Sequence, residues 1–285
     1  MKRIVCLLLS TVLVLCAAVI PLTANAAAWG DVNGDGSLTT NDARLALRGA
    51  IGLDTLKKGT EKFAAADIIA DGKLGTDDAR LILRIAVGLE PSVNQYDILR
   101  SGAFYMQGKM EGGTAPMKMA VSKDTVYIEM AEEGMQMGYL AKGNKVYFVD
   151  PANKNYHQLT AADKLLMKSI AGDAELPDAK EVRSMVEDFG FANMPALSRA
   201  NRVTGGKVEG LPCAVYTFNL SDGSTTNVYM YGYRMLAMDA SDKNGDQTNL
   251  IIFDSISADV PVMPPKDYSN ERVFLVFMAK MMGET

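Results

Sequence analysis

Histidine is nearly absent: His157 is the only one in 285 residues. That excludes metal cages built from several imidazoles, and leaves a histidine-based triad no base except His157 itself. It sits in NKNYHQLT, where an exposed strand-edge position is expected. Tryptophan is as scarce. Trp29 stands alone, so the C-terminal two thirds has no indole on which a sugar ring could stack. Tyr229, Tyr231 and Tyr233 could serve instead, although tyrosines alternating on a strand also follow from plain β-propensity. Cysteine is limited to Cys6, Cys16 and Cys213. The first two fall in an N-terminal apolar segment, so Cys213 has no internal disulfide partner. It is either a packed thiol or one that pairs with another chain. No apolar run after residue 26 is long enough to span a bilayer; VFLVFMA near the C-terminus is too short.

Residues 1–26 have the form of a secretory leader. Lys2 and Arg3 precede an apolar run from Ile4 to Ile20, and Ala24-Asn25-Ala26 fits a small-x-small cleavage site. Pro21 ends the run, which disfavours a membrane anchor, and Leu15 before Cys16 disfavours a lipoprotein. The expected mature chain starts near Ala27 and is secreted. Loss of Lys2 and Arg3 takes the net charge from −5 to −7. A protein with that balance has no general positive field for nucleic acid or an anionic membrane.

What is present begins at once. GDVNGDGSLTTND places oxygen-bearing residues at the ligand positions of an EF-hand-type loop: Asp31, Asn33, Asp35, Ser37 through its carbonyl, Thr39 and Asp42, with Gly36 at the sharp turn. Thirty-six residues on, the loop recurs as Asp67, Asp71, Lys73 through its carbonyl, and Asp78, with Gly72 at the turn. The second copy has Ile69 at the third position and Gly75 at the ninth. It is expected to bind Ca2+ more weakly, with extra water. The following helices repeat as well, DARLALRGAIGL and DARLILRIAVGL. Ala43, Leu47, Ala50 and Ile51 share one face, as do Ala79, Leu83, Ala86 and Val87. Each helix ends in Gly-Leu, where Gly can take the left-handed turn and Leu can pack back.

An EF-hand needs a helix entering its loop. About four mature residues precede Asp31, too few for one, and position 12 is Asp rather than Glu in both copies. Two such loop-helix units between Gly30 and Leu89 resemble a dockerin. The resemblance implies a small all-α module of two calcium loop-helix motifs, here residues 27–90. It would present two similar helix faces to a cohesin domain of a scaffoldin in a cellulosome-type, polysaccharide-degrading complex, placing the protein outside the cell or on its surface through that complex. The family's cohesin-contacting positions fall on Thr40 and Asn41 in the first copy and on Thr76 and Asp77 in the second. Arg44 and Arg48, and Arg80 and Arg84, extend the same helices at i, i+4 spacing, either as partner contacts or as a solvated face.

After a short linker, residues 91–95, a second domain is expected over 96–285. Phe104, Met106 and Met110 alternate with Tyr105, Gln107 and Lys109, and the pattern continues through Val126/Ile128/Met130 against Tyr127/Glu129. This period of two predicts an antiparallel meander with one dry face and one wet face. Thr160 and Asp163 form a capping-box pair for a helix over 161–171, and Pro177 suits the first turn of another. Strands resume from Arg202 to Ser257, and a short helix capped by Ser269 closes the chain. DKNGD at 242–246 is a turn rather than a third calcium loop, since its sixth and twelfth positions are Gln247 and Phe253.

Catalytic patterns are missing here. Asp254, sharing a strand face with Ile252 and Ile256, is the one acid outside the turns; it could be a buried functional carboxylate, and an ordinary outward or edge position is the expectation. Methionine is the unusual residue. Met106, Met117, Met119, Met130, Met135 and Met137 could be core, line a pliable cavity for a lipid-like ligand, or bind a soft metal. The strand–helix–strand order with IIFDSISADVPVMPPKDY loosely resembles LolA-like lipoprotein-carrier half-barrels. That resemblance implies an α+β domain whose curved antiparallel sheet is covered by helices. The expected function is therefore a secreted, calcium-binding docking protein with a non-catalytic sheet domain. A glycoside or ester hydrolase, or a carbohydrate-binding accessory subunit, is the alternative.

Overall fold

The computed structural model describes residues 29–111, 116–132, 135–171 and 176–283; the leader expected at 1–26 lies outside them. Residues 29–90 form three helices and no strand: α1 (Thr40–Ala50), α2 (Glu61–Ala66) and α3 (Thr76–Ala86). α1 and α3 pack on each other. Both end alike. Gly52 and Gly88 take φ of +76° and +77°, and Leu53 N–H and Leu89 N–H reach back to the Arg48 and Arg84 carbonyls at 2.8 Å. This closes the last turn with the bond the Gly-Leu pair predicts. The leucine side chains do not fold back, however; both stay exposed.

The rest is an α+β fold on one large curved sheet. The first meander is β1 (Phe104–Met110), β2 (Met117–Val121), β3 (Thr125–Glu132), β4 (Met135–Lys142), β5 (Lys145–Asp150) and β6 (Asn155–Gln158). Helices α4 (Gln95–Arg100), α5 (Ala161–Ala171) and α6 (Ala179–Glu187) flank it. The second meander is β7 (Arg202–Val208), β8 (Leu211–Asn219), β9 (Thr225–Tyr231), β10 (Arg234–Ser241) and β11 (Gln247–Ser257). β12 (Ser269–Asn270) and α7 (Phe274–Met281) close the chain. Antiparallel pairing of β1 with β11 joins the halves into the order β12-β6-β5-β4-β3-β2-β1-β11-β10-β9-β8-β7.

Neither face is wet. One carries the main core, with Phe104, Met106, Met119, Tyr216, Met230 and Phe253 under Val182 and Val186 of α6. On the other, Tyr127 and Glu129, expected to face water, are buried. Ala120, Tyr127, Leu140 and Val149 pack there with Met263, Val260 and Tyr268 from the segment between β11 and β12. Glu129 accepts from Lys118 Nζ at 2.8 Å, and from the Tyr127 hydroxyl and the Gln136 amide. A buried carboxylate needs such partners. Behind β8–β10 the cover is the N-terminal helical unit itself. Ile69, Leu81, Ile82 and Ile85 share a cluster with Cys213, Tyr231, Leu236 and Ala237.

Several local expectations are corrected. Ser269 caps no helix; it pairs in β12, parallel to β6. Pro177 lies before α6 rather than in its first turn, and Asp178 is the cap. The short connection at residues 91–95 is held in place at its end. Asn94 caps α4, and the buried Gln95 side chain donates to the Ile256 carbonyl and accepts from Met235 N–H, each at 3.0 Å. The outward position expected for Asp254 is found: it is the bulge residue skipped where Gln107 pairs with Ser255 and Gly108 with Phe253, and it faces solvent. No helix among the described residues is long and apolar enough to cross a membrane.

Candidate functional site

Five hydrogen bonds that close the first loop recur in the second; those made by the Asn33 and Thr39 side chains do not, since Ile69 and Gly75 stand in their places. Asp31 Oδ1 accepts from Asp35 N–H at 3.1 Å, and Asp67 Oδ1 from Asp71 N–H at 3.2 Å. The other oxygens take Gly36 N–H at 2.9 Å and Gly72 N–H at 3.0 Å. Asp35 accepts from Ser37 N–H at 2.9 Å, Asp71 from Lys73 N–H at 2.8 Å. At the helix start, Asp42 receives Asn33 N–H (3.1 Å) and Thr39 N–H (2.9 Å). Asp78 receives Ile69 N–H (3.1 Å) and Gly75 N–H (2.9 Å). Even the backbone strain is kept. Gly34 has φ +75°, and Ala70, at the matching place, has φ +55°, a conformation costing about 1 kcal/mol for a residue with a Cβ.

The donor set of the first loop suits Ca2+: three carboxylates, an amide, a hydroxyl and a carbonyl, all hard oxygens, around a glycine turn. Among the described residues no three His, Cys, Asp or Glu side chains converge as a metal cage. In the second loop Ile69 is 1% exposed and belongs to the cluster against the sheet, so the third ligand position has become a core position. Burial pushes the Asp78 carboxyl up to about 7, with the Asp67 and Asp77 charges adding, and burial raises Asp67 as well.

Beyond the loops, the helix faces also repeat. Leu47 and Leu83 are 41% and 43% exposed, Ile51 and Val87 56% and 53%, Leu53 and Leu89 65% and 64%. The apolar face expected from periodicity thus points largely outward; Ala46 in α1, and Leu81, Ile82 and Ile85 in α3, supply the inward one. Thr40, Asn41, Thr76, Arg44, Arg48 and Arg80 are exposed, and Asp77 and Arg84 are half-buried. Arg48 pairs with Asp54 at 2.7 Å and Arg84 with Glu90 at 2.9 Å, again thirty-six residues apart. Arg44 donates to Asn41 Oδ1 at 2.7 Å.

Met106, Met117 and Met119 are packed in the main core, Met137 packs partly against Phe148 and Phe277, and Met130 is exposed. The side chain of Met135 lies outside the described residues. The pocket beneath α6, 500 Å3 in volume, is walled by Phe104, Val121, Val126 and Phe191 with Lys123 and Arg183 among its lining, and contains no methionine. His157 is buried, contrary to expectation. Its Nδ1 lies 2.7 Å from the Glu271 carbonyl and its Nε2 3.0 Å from Asp163 Oδ2. Asp163 also receives Thr160 N–H (2.7 Å) and the Thr160 hydroxyl (2.6 Å). Burial would raise its carboxyl, but these bonds outweigh that and hold it below the usual range. Cys213 is a free, buried thiol, pushed up to about 11 by burial.

One feature escaped the sequence. Trp29 stacks on Tyr216 with ring centres 5.1 Å apart, and the Tyr233 hydroxyl donates to the Trp29 carbonyl at 2.7 Å. Together they line an 830 Å3 pocket between the second loop and the sheet. The lone tryptophan next to the first loop was the only signal.

No family model matches the chain, and no curated protein does. Among solved structures, an uncharacterized conserved protein from Thermus thermophilus aligns at 8% identity over 63% of this chain and 97% of its own, with a TM-score of 0.30. The Pseudomonas aeruginosa MucA/MucB complex aligns at 10% identity over 60% of this chain and 56% of that chain, TM-score 0.30. MucB in complex with MucA(peri) aligns at 9% over 64% and 60%, TM-score 0.29. Likeness at this level carries no argument about function.

Proposed function

We propose that this chain is an exported, calcium-binding docking protein of the dockerin type. Its partner is a cohesin domain of a scaffoldin in a cellulosome-type complex. The reading rests on one observation above the rest: three apolar residues on and just past the end of each exit helix repeat at thirty-six residues and keep nearly the same exposure. Exposed Leu and Ile scattered singly need no explanation, whereas a duplicated apolar row beside duplicated arginines has the makeup of an interface. Ca2+ in the loops would hold the helix starts. Asp31, Asn33, Asp35, Thr39, Asp42 and the Ser37 carbonyl would carry the first ion; Asp67, Asp71, Asp78 and the Lys73 carbonyl would carry a weaker second. The sheet is the cargo or accessory body of this plug.

Calorimetric titration of the full chain with purified cohesin domains tests the reading. Binding is expected with Ca2+ and lost in EDTA. Leu47→Ala with Ile51→Ala in one copy should weaken it by about twofold, because the other face remains. The same changes in both copies, Leu83→Ala and Val87→Ala included, should weaken it by about 100-fold or more. Absence of binding to every cohesin tested in saturating Ca2+, with the fold intact, would sink the proposal.

A further inference from the structure

Where α3 meets the sheet, arginines gather in a chain whose net charge is −5. Arg80 and Arg84 of α3 and Arg234, the first residue of β10, line a 250 Å3 recess with Glu90, Leu211 and Tyr231. Glu90 is the one acid in that lining, and it is already engaged. Its Oε1 accepts from Arg84 Nε at 3.1 Å and from a terminal guanidinium nitrogen at 2.9 Å. Arg80 and Arg234 have no hydrogen bond or ion pair among the described residues. The first copy differs. There Arg44, the counterpart of Arg80, is held by Asn41 Oδ1 at 2.7 Å. The counterpart of Asn41 is Asp77, an acid, yet its carboxylate lies over Gly75 at the helix start rather than on Arg80.

We infer that this recess binds a carboxylate through Arg80 and Arg234 and, resting on the docking reading, that the carboxylate is an aspartate or glutamate side chain of the partner protein. A guanidinium stays charged at any physiological pH, and its planar fork matches a carboxylate. Two of them without a partner, beside the buried Tyr231 and the half-buried Leu211, attract an anion more strongly than they would on an open surface. A cation is repelled, and a neutral ligand leaves both charges uncompensated. A nucleic acid needs many phosphate contacts, which a net negative chain with one small basic recess does not offer. Arg80, Leu83, Arg84 and Val87 fall at i, i+3, i+4 and i+7, one face of α3, and Leu83 and Val87 are exposed. The recess thus adjoins the apolar docking row, which suits an acid flanked by apolar side chains on a protein surface. A free inorganic anion would use the arginines alone. Arg234 belongs to the sheet and not to the repeat. The two docking faces therefore differ: the second reads an acid with the sheet's help.

The full chain, isotope-labelled at arginine and kept in Ca2+, is titrated with sodium glutarate while the Nε–H signals are followed by NMR. Sodium sulfate and sodium chloride at equal ionic strength run in parallel. The Arg80 and Arg234 signals should move saturably with glutarate, and the Arg44 signal should stay in place. Arg234→Gln removes a half-buried side chain that makes no bond, so it should melt like the parent and abolish the Arg80 response. A second arm identifies the source of the carboxylate. With the first helix face disabled by Leu47→Ala and Ile51→Ala, Arg234→Gln should weaken cohesin binding about 10-fold. With the second face disabled by Leu83→Ala and Val87→Ala, it should change nothing. An unmoved Arg80 signal, a chloride response equal to that of glutarate, a response to sulfate without one to glutarate, or an Arg80 response that survives Arg234→Gln overturns the carboxylate site. Affinity unchanged by Arg234→Gln in both backgrounds overturns the assignment to the partner. The glutarate arm contains no cohesin, so failure of the docking proposal is distinguishable from failure of the site.

Discussion

At the scale of single residues, positions 69 and 70 carry the history of the second loop. Ala70 accepts a left-handed backbone that Gly34 adopts freely, so the turn is retained at a cost. Ile69 gives up an oxygen ligand and gains a place in the cluster with Leu81, Ile82 and Leu236, worth about 1.5–3 kcal/mol of burial. Ile69→Asn restores the ligand's chemistry but puts an amide among those side chains. It should lower stability by about 3 kcal/mol, read as a fall in the denaturation midpoint in saturating Ca2+. The calorimetric affinity of the second site should not improve. A variant that melts like the parent and binds a second ion more tightly would show that Ile69 is free to turn toward the metal. Both loops were legible in the sequence because their acidic residues and turn glycines are local in the chain. The anchoring role of Ile69 was not, because its neighbours on the sheet lie more than 100 residues away.

At the scale of elements, what could be read were the helix ends and strand alternations, which depend on neighbours within a few residues. Thr160 and Asp163 start α5 as their spacing implies. Ser269 has the same local qualification but is taken by β6, and the alternation of β11 is shifted at Asp254 by its pairing with β1. Neither event has a local sign. Asp163 also joins α5 to β6 through His157, a link hidden by reading the only histidine as exposed. Asp163→Ala should therefore cost about 2 kcal/mol at pH 7, a cap and a buried partner together. The carboxyl is held below its ordinary value in the folded state, so its contribution is complete above the unfolded value of about 4 and is lost as pH falls through the folded one. Urea titrations at several pH values should show the gap between parent and variant closing at the acid end. A gap that stays constant down to acid unfolding would mean the carboxylate's charge is not what matters.

At the scale of the whole molecule, the sequence suggests two bodies joined by a linker, and the core does not respect that division. The helical unit covers the outer face of β8–β10, with Gly232 in the β9–β10 turn so close to Ile85 and Leu81 that a Cβ there would lie 3.1 Å from the nearer side chain. The cover over Cys213, Tyr229, Tyr231 and Leu236 is encoded more than 100 residues earlier. A chain restricted to residues 96–285 should then expose that face. It should bind a hydrophobic dye, associate at micromolar concentration, and present Cys213 to Ellman's reagent within minutes at about pH 8, near the ordinary thiol pKa. In the full chain the same thiol, fully buried and pushed up to about 11, should react only as fast as the protein opens. If the fragment is monomeric, folded and equally slow to react, the helical unit is a detachable plug and the shared cluster contributes little. If it reacts at once while retaining its strands by circular dichroism, the sheet folds without the helical unit but depends on it for cover, and the shared cluster of Ile69, Leu81, Ile82 and Ile85 with Cys213 and Leu236 is what closes that face.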